Sequence, residues 1–507
     1  MPDSARLEVH HINVSQGDAI LIIIRDLDKV KALLGSTVPT SPMDYVPEAV
    51  RREKSLQGTV VSALLIDGGD DEFGGDVVKY LIRHGAASGK GYQSKLSVLV
   101  SHPHEDHMAG LRSIFKERIE PTRKGQKVQL VERMWPAYWY RESPSSETDP
   151  TSGTWHSLED DLKGASTKGK TNSTKVVDIK RGGLNDKGKT TVINIGSIGV
   201  IPVDLFVIAS GQGVWNENKQ KIIGIDSVRK GTAKKKKGGK GKRRPRGKKL
   251  AVDQNDRSLV TMLQYGSFRY FLGGDIAGSG GAAGGNYGDN AVDMSKKKSY
   301  SQHANVEKEI GPALEAYFPR TKEFKAGVPK FRSPGYATLM KANHHASSSS
   351  CDVHLFATLQ PLLFVVNSGV KTRSHGHPTQ ETINRAHFET SPDWELRGTG
   401  GKETPNTVDQ IYVTEIASSY RSKPFTTDLS GGKILGDIVV RPTDQSVAAC
   451  HSAVGENKTE LKVQVYGTGE LTARYSDKNS LRPIPTSDIN KAGSTYPMGP
   501  WEHTDKH

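Results

Sequence analysis

Three histidines and two acids occupy six consecutive positions of the chain, from His102 to His107 within "VSHPHEDHMAG". Imidazole nitrogen and carboxylate oxygen are ligand atoms that Zn²⁺ and similar divalent ions prefer. The chain holds 17 histidines in 507 residues, so three within six positions exceed what chance spacing gives. The spacing His-x-His followed by Asp-His can face two neighbouring ions from one turn. The stretch therefore predicts a metal centre rather than an exposed polar loop.

Apolar strands must position the ligands of such a centre. The segment "SKLSVLV" directly before the cluster is short, aliphatic and β-branched, which is typical of a buried strand. Other acids and histidines follow apolar segments in the same way: Asp67, Asp275, His344, His345 and His377. Because strand ends at one edge of a layered α/β fold converge, these residues are predicted to build a single site.

The pattern of strands and helices around these residues favours the α/β class. "RLEVHHINVSQGDAILIII" predicts two strands joined by a tight Ser-Gln-Gly-Asp turn, and "RSLVTMLQYGSFRYFLGGDI" predicts a hairpin that turns around Gly266. "DVVKYLIRHG" has helical spacing and a glycine stop. Strand, helix, strand, loop and helix thus follow one another, as an α/β fold requires.

Composition excludes several classes of protein. Two cysteines, Cys351 and Cys450, provide neither a disulfide framework nor a cysteine metal site. The apolar run "AILIII" is far too short to cross a bilayer, and the first residues show no signal peptide. Hydrophobic residues make up 35% of the chain. The expectation is a cytoplasmic protein without a membrane segment.

One segment holds nearly all of the positive charge. Residues 229–249, "RKGTAKKKKGGKGKRRPRGKK", contain 13 lysines and arginines and no acid, against a net charge of +14 for the chain. Such a block repels itself and is rich in glycine, so a disordered arm is expected. It could attract the phosphates of nucleic acid through counterion release, or it could be only a solubilising insertion. It has no aromatic residues that would stack on bases, and both alternatives stay open.

The order of several motifs resembles a known family. "HPHEDHMAG" matches the HxHxDH signature of the metallo-β-lactamase fold. Together with "NVSQGDAILI", "LLIDGG", "NDRSLV", "FLGGDI", "LMKANHHASSSS" and "NSGVKTRSHGHPTQE", it resembles the soluble hydrolase domain of ComEC-type competence proteins from about 7 to 390. The resemblance implies an α/β fold, the metallo-β-lactamase αββα sandwich, over residues 1–400, with long insertions at about 141–195 and 211–254. Residues 405–507 would be a β-rich C-terminal extension, either a small sandwich or strands that complete the second sheet.

The resemblance also implies which residues bind metal. The implied ligands are His102, His104, Asp106, His107, Asp275 and His344. The first two would bind one ion and the next two the other, with Asp275 as the carboxylate that bridges both. His344 and His345 are alternatives for the last position, with His344 favoured and His345 then lining the substrate side. The implied cofactors are two divalent metal ions, Zn or Mn.

Further residues would lie beside the metals by the same resemblance. Asp67 would be an acid that orients a ligand histidine, the usual support for an imidazole ligand. Gln16 and Asp18, in the "SQGDA" turn, would line the same edge. Asp18 and His377 would face the substrate.

The chain departs from the family in three ways. Many members carry a further ligand histidine before the bridging aspartate, whereas the only histidine in that interval of the sequence is His156, in a low-complexity segment. The first ion could therefore be weakly held or completed by water. The usual "HHGS" is "HHAS" here. No segment corresponds to the membrane channel of the competence proteins, so a role in DNA uptake is not expected.

The predicted site favours metal-dependent hydrolysis. Two ions would lower the pKa of a bound water and stabilise the attacking and leaving oxygens of a phosphoryl group. The expected protein is a phosphodiesterase or nuclease that uses a metal-bound hydroxide, oriented by Asp106 and Asp67, with His377 contacting the phosphate or protonating the leaving group. Two alternatives stay open: a hydrolase of a lactone, thioester or cyclic nucleotide, and a non-catalytic nucleic-acid-binding scaffold with a degenerate site.

Overall fold

The computed structural model of the 507-residue chain describes the segments around the predicted site. The described residues are 4–37, 41–87, 96–115, 118–121, 127–131, 137–142, 156–160, 174–211, 213–216, 219–224, 254–278, 306–317, 337–369, 377–387, 408–416, 419–420, 423–424, 429, 432–443, 447, 460–468 and 498–506. The basic segment 229–249 lies outside them, as does much of the two predicted insertions.

The described secondary structure is richer in strands than in helices. The strands are β1 (Ala5–His11), β2 (Ile20–Asp26), β3 (Val60–Ile66), β4 (Leu96–Leu99), β5 (Arg118–Pro121), β6 (Lys127–Val131), β7 (Tyr138–Glu142), β8 (Lys175–Ile179), β9 (Val192–Ile198), β10 (Ile201–Ser210), β11 (Gly213–Asn216), β12 (Lys221–Gly224), β13 (Val260–Tyr265), β14 (Phe268–Leu272), β15 (Leu339–Lys341), β16 (Leu363–Val366), β17 (Gln410–Val413), β18 (Ser419–Tyr420), β19 (Lys423–Pro424), β20 (Lys433–Ile434), β21 (Ile438–Pro442), β22 (Glu460–Gly467) and β23 (Met498–Lys506). The helices are α1 (Leu27–Leu34), α2 (Pro42–Arg51), α3 (Gly74–Arg83), α4 (Glu105–Met108), α5 (Leu111–Phe115), α6 (156–160), α7 (Ile310–Tyr317), α8 (Val353–Leu359) and α9 (Gln380–His387). Short 3₁₀ turns span Leu56–Thr59, Asn255–Arg257, Glu307–Glu309 and Asn343–Ala346. None of the described helices is long and apolar enough to cross a bilayer.

Most of the strands form two large mixed sheets. The first has the order β23-β22-β21-β1-β2-β3-β4-β7-β8, and the second has the order β12-β11-β10-β13-β14-β15-β16-β17-β20, with β9 paired to β10. Strands β3, β4, β7 and β8 run parallel, as do β14, β15, β16, β17 and β20. Because parallel neighbours end at the same edge of a sheet, the loops after β3 and β4 meet, and so do the loops after β14, β15 and β16.

Local patterns of the sequence predicted several of these elements. β1 and β2 pair antiparallel as expected, although their connection is not a tight turn but residues 12–19. β13 and β14 form the predicted hairpin around Gly266, at φ +58°. The predicted helix is α3, and it stops before Gly85, where a Cβ would lie 2.4 Å from the carbonyl carbon of Leu56.

An apolar core lies between the two sheets, and helices cover their outer faces. β2 is apolar on both sides because Ile22 packs between the sheets while Ile23 packs under the helices. Helices α3 and α5 cover the first sheet, and α7, α8 and α9 cover the second. The layers therefore run helix, sheet, sheet, helix, and the mixed α/β class predicted from the sequence is confirmed.

Two segments that the sequence assigned to an insertion and an extension contribute strands to the sheets. Within 141–195, residues 174–195 form β8 and the start of β9, so this part belongs to the sheets. In the C-terminal region, β17 and β20 extend the second sheet, while β21, β22 and β23 extend the first beside β1. The described C-terminal strands in these two sheets therefore do not form a separate sandwich.

A buried ion pair between Glu8 of β1 and Arg25 of β2 lies on the outer face of the first sheet. Arg25 Nε lies 3.1 Å from both carboxylate oxygens of Glu8, and the guanidinium also donates to Thr59 Oγ1 and His84 O at 2.9 Å. The hydroxyl of Tyr45 donates to the same carboxylate. Burial raises the pKa of Glu8, but Arg25 and its other partners outweigh burial and hold that pKa well below its usual range. Glu8 is therefore a buried anion that depends on its partners.

Arg25→Met is expected to lower the free energy of unfolding by about 3–5 kcal/mol, because the charge of Glu8 would stay buried without its partner. Arg51→Met is the matched control, since Arg51 is 70% exposed and pairs with Glu48 at the surface, where such pairs contribute little. Urea unfolding followed by circular dichroism measures both variants. Equal stability losses would show that the buried pair has no special role.

Candidate metal centre

Four strand ends bring the predicted ligands together. β3 leads to Asp67, β4 to the loop 101–104, β14 to Asp275 and β15 to the turn Asn343–Ala346. α4 begins directly after the loop 101–104, so Asp106 and His107 lie on its single turn. The edge where these ends meet is therefore the site that the sequence pattern predicts.

Glycines let the loops of this edge approach closely. Gly68 N donates to His107 O at 2.6 Å, and Gly110 N donates to Gly69 O at 2.8 Å. A Cβ on Gly110 would lie 2.0 Å from Gly68 O, so a larger residue there would push apart the loops after β3 and β4. The glycine pair after Asp67 and the glycine after α4 thus allow the two loops to pack in direct backbone contact.

Three groups of side chains lie close enough together to hold a metal ion. The first group contains His102, His104 and Asp275, and the second contains Asp106, His107, His345 and Asp275. The third contains Asp18, Asp67 and His107, whose carboxylates already pair with Lys341 and Ser101, so the other two are the candidate ligand groups. Within each group, the potential ligand atoms lie within 4.8 Å of one another. Asp275 belongs to both candidate ligand groups, as a carboxylate shared by two ions must.

The ring nitrogens of three histidines converge on one oxygen of Asp275. Asp275 Oδ2 lies 3.2 Å from His107 Nε2, 3.6 Å from His345 Nε2 and 3.8 Å from His102 Nε2. Asp106 approaches the same point, with its carboxylate oxygens 3.3 Å from His345 Nε2 and 4.0 Å from His107 Nε2. These atoms surround a common centre.

The donor atoms of this cluster fit a divalent cation. Within the described part of the chain, no hydrogen bond reaches the buried Nε2 atoms of His102, His107 and His345. Buried polar atoms in proteins are nearly always paired, so such a concentration of unbonded atoms needs a partner. Converging imidazole nitrogens and carboxylate oxygens are the donors that Zn²⁺ and Mn²⁺ accept. The buried histidine and aspartate groups could therefore hold a metal ion.

Asp67 lies directly behind one of the histidines. Its Oδ2 is 2.9 Å from His107 Nδ1, and its two oxygens accept from Ser101 N and Ser101 Oγ at 2.7 and 2.5 Å. This is where an acid that orients a ligand histidine belongs. Because Asp67 is buried and fully engaged, it would act through His107 and not by touching a water or substrate, which corrects the more direct role expected from the sequence.

Asp67→Asn is expected to weaken metal binding about 10- to 100-fold, the usual cost of removing an outer partner of a ligand histidine. Asp71→Asn is the control, because Asp71 is an exposed aspartate four residues further along the same loop. Competition with a fluorescent chelator measures both affinities. Identical affinities in the two variants would refute the orienting role.

Asp18 also lies behind the ligand histidines. It pairs with Lys341, accepts from Asn367 Nδ2 at 3.1 Å, and lies 3.6 Å from His107 Nδ1 and 3.7 Å from His345 Nδ1. The prediction that Asp18 contacts substrate is therefore wrong, because the side chain is buried on the far side of the rings. Sequence reasoning missed Lys341 and Asn367; the only hint was a lysine at the end of an apolar strand.

The structure exchanges the roles predicted for the two adjacent histidines. His345 is fully buried and belongs to the second ligand group, with Nδ1 3.0 Å from Asn367 O. The side chain of His344 is 18% exposed, and its Nε2 is 4.0 Å from Asp275 Oδ2, outside both groups. Of the two residues, His345 is therefore the one that could hold a metal ion, and His344 is partly exposed. The cause is the backbone, because His344, His345 and Ala346 all have positive φ, which turns consecutive side chains in different directions.

The left-handed backbone conformation of Ala346 lowers the stability of the folded protein by a measurable amount. Ala346 has φ +62°, where a non-glycine residue is destabilised by about 1–2 kcal/mol. Glycine adopts a positive φ without strain, so Ala346→Gly should relieve this strain, whereas Ala342→Gly should not, because Ala342 is equally buried but has φ −61°. The loss in free energy of unfolding is therefore expected to be about 1 kcal/mol smaller for Ala346→Gly than for Ala342→Gly. Chemical unfolding of both variants measures the difference. An equal loss would mean that the turn is unstrained at Ala346.

His377 is buried and lies beside the two adjacent histidines. Its ring centroid is 5.5 Å from that of His344 and 6.5 Å from that of His345. The segment is docked by Thr379 N, which donates to Ala346 O at 3.0 Å. His377 therefore lies close to His344 and His345, and its contact with a substrate stays a prediction.

The remaining predicted positions lie at different distances from the centre. The turn that holds Gln16 packs on α4, because Asp18 N donates to Asp106 O at 3.1 Å. His156 is exposed on α6 and is not part of either ligand group. It therefore does not supply the additional histidine of the family pattern.

The charges of the cluster depend on one another. Burial lowers the pKa of His107, but the carboxylates of Asp275 and Asp106 raise it well above its usual range. Burial raises the pKa of Asp275, but His107, His345 and His344 bring it well below its usual range. Because a metal ligand must be deprotonated, protons and metal ions compete for His107.

Comparison with known proteins does not assign the chain to a family. No model of a protein family matches the sequence, and a search of curated proteins finds no similar one. The site is therefore defined by its own geometry, in which two ligand groups share Asp275.

Proposed function

We propose that this chain is a metal-dependent hydrolase that cleaves phosphodiesters, as a phosphodiesterase or nuclease. The observation that supports it most is Asp275, whose carboxylate is shared by two groups of potential ligands. Paired ions on a shared carboxylate are typical of enzymes that catalyse phosphoryl transfer. The proposal includes two divalent ions, Zn or Mn, and the metallo-β-lactamase form of the α/β fold. The layers of helix, sheet, sheet and helix, and the order of the motifs along the chain, support that form.

The chain supplies a separate ligand group for each ion. His102, His104 and Asp275 would hold one ion, and Asp106, His107, His345 and Asp275 would hold the other. Two ions bound there would lower the pKa of a water and stabilise charge on the phosphoryl oxygens. Asp67 would fix the ring of His107, and the carbonyl of Asn367 would fix the ring of His345 through Nδ1.

Two side chains of the centre, Asp106 and His344, are partly exposed, and the buried His377 lies beside His344. The side chain of Asp106 is 29% exposed, so its carboxylate can orient the attacking water by accepting a hydrogen bond from it. His344 and His377 lie opposite, with ring centroids 5.5 Å apart, where they would contact the phosphoryl oxygens of a bound substrate. His377 would be the group that gives a proton to the leaving oxygen.

A nucleic-acid substrate is favoured by the position of the basic segment in the sequence, shortly before a residue that lies at the candidate centre. The chain re-enters the described structure at residue 254, and Asn255 Nδ2 lies 3.5 Å from His344 Nε2. Asn255 follows Lys249, the last residue of the basic segment, by six positions in the sequence. A phosphate-attracting segment attached there would hold a nucleic acid near the metals.

Cleavage of single- and double-stranded DNA and RNA in Mn²⁺ or Zn²⁺, over a range of salt concentrations, tests this function. We expect cleavage that needs metal and weakens steeply as salt rises, and a shallower salt dependence when the four lysines 234–237 are replaced by serine. Hydrolysis of lactones or thioesters without any cleavage of nucleic acid would contradict the proposed substrate class. Bound metal without hydrolysis of any of these substrates would favour the non-catalytic scaffold.

A further inference from the structure

Lys341, the last residue of β15, is a buried cation beside the candidate metal centre. Its side chain is 1% exposed and forms a close ion pair with Asp18. Its Nζ donates to Gly274 O at 3.1 Å and lies 3.8 Å from Oδ1 of Asp275. Lysine is almost never fully buried unless it is paired, so the role of Lys341 is to be found in its contacts with Asp18, Gly274 and Asp275.

The two carboxylate oxygens of Asp275 face different groups. Oδ2 faces the Nε2 atoms of the ligand histidines, the nearest at 3.2 Å on His107, whereas Oδ1 faces Lys341. The carboxylate torsion of an aspartate is broad, so the carboxylate could instead turn until each of its two equivalent oxygens faces a different ligand group. The cation of Lys341, 3.8 Å from Oδ1, favours the orientation in which only one oxygen faces the histidines.

The backbone at Asp275 is already fixed by other contacts. Asp275 N donates to Ser258 Oγ at 3.0 Å. Gly274 has φ +56°, and a Cβ there would lie 2.8 Å from Ser258 Cβ. The freedom that remains is the rotation of the carboxylate itself.

We propose that Lys341 is a positioning residue that holds Oδ1 of Asp275, so that Oδ2 alone is presented to both ligand groups. This inference rests on the proposed function, because it requires that both groups bind divalent ions. One shared oxygen would connect two paramagnetic ions and make their magnetic exchange measurable. Rotation of the carboxylate would leave only the longer O–C–O path between the ions, which transmits exchange much more weakly.

A second role of Lys341 must be separated from the first, because Lys341 also neutralises Asp18. Removing one partner of a buried ion pair is strongly destabilising, whereas replacing both partners by neutral groups of similar size is often tolerated. The double variant Asp18→Asn, Lys341→Met is therefore expected to fold. Its reference is Asp18→Asn alone, in which Asp275 remains beside Lys341 as a counterion. Circular dichroism and thermal melting establish that both variants are folded before metal binding is compared.

The experiment uses Mn²⁺ as the probe on the full chain. Isothermal titration calorimetry counts the bound ions, and low-temperature electron paramagnetic resonance detects an exchange-coupled pair. The wild type and Asp18→Asn are expected to show two ions and a coupled pair. The double variant is expected to lose the coupled pair and to bind the second ion about 10-fold more weakly or worse. Lys79→Met, which removes an exposed lysine paired with Asp76, is expected to change neither readout.

The outcomes separate this inference from the proposed function. A coupled pair retained in the double variant would overturn the inference, since Lys341 would then only balance Asp18. A wild type that holds a coupled pair but hydrolyses no phosphodiester would overturn the proposed function and leave the inference in place. A wild type with no coupled pair would overturn the inference directly.

Discussion

Asp275→Asn is expected to lower phosphodiester turnover at least about 10³-fold, because single electrostatic groups in active sites contribute about 10²–10³ and this carboxylate serves both ligand groups. Asp275 Oδ2 lies within 3.8 Å of the Nε2 atoms of His102, His107 and His345, so the variant removes the negative charge at the point where they converge. Metal content should fall together with turnover. Turnover is measured with bis(p-nitrophenyl) phosphate in Mn²⁺, and metal content by elemental analysis.

Asp186→Asn is the matched control for this prediction. The side chain of Asp186 is 89% exposed and pairs with Lys180, away from the ligand groups, so neither turnover nor metal content should change. Circular dichroism and thermal melting establish that both variants are folded. A folded Asp275→Asn protein with undiminished turnover would exclude a catalytic role for this cluster.

His345→Gln is expected to weaken binding of one metal ion more than about 100-fold, beyond the 10- to 100-fold cost of losing an outer partner. His345 lies in the second ligand group, 3.3 Å from Asp106 and 3.6 Å from Asp275, and its ring is held by the carbonyl of Asn367. The loss should therefore appear as a drop from two bound ions to one. Calorimetric titration with Mn²⁺ measures it.

His344→Gln is the matched control for His345→Gln, because the two histidines are adjacent in the chain. It should retain both ions, since His344 Nε2 is 4.0 Å from Asp275 and outside both groups. Its turnover should nevertheless fall, because the side chain is partly exposed and lies next to His377. The reverse result, with the metal lost in His344→Gln and kept in His345→Gln, would restore the assignment favoured by the sequence.

Much of the site could be predicted because its residues follow recognisable strands. β3 and β4 are short apolar segments, and the polar residues that end them had to meet once the strands ran parallel. The same holds for Asp275 after β14 and for the histidines after β15. In these cases, local hydrophobicity fixes the strand, and the geometry of a parallel sheet fixes where its end lies.

The choice between His344 and His345 could not be predicted, because it depends on three consecutive left-handed residues. A left-handed turn is usually indicated by glycine or asparagine, and Ala346 stands at its third position. Lys341 was missed for a related reason. It is the only charged residue of β15, and its partners Asp18 and Asp275 are distant along the chain.

The pairing of the C-terminal strands could not be predicted from local sequence patterns. β21 pairs with β1, although more than 400 residues separate Val9 from Val440. Alternating hydrophobicity predicts that such a segment is a strand, but the edge it joins depends on which other edges are already paired. Both the separate sandwich and the completed sheet were therefore compatible with the sequence.

Turnover as a function of bound metal tests the central claim most directly. Metal-free protein would be titrated with Mn²⁺, and hydrolysis of bis(p-nitrophenyl) phosphate measured at each ratio of metal to protein. We predict that activity rises only as the second ion binds and saturates at two ions per chain. Two bound ions with no hydrolysis of this diester or of nucleic acid would contradict the proposed function.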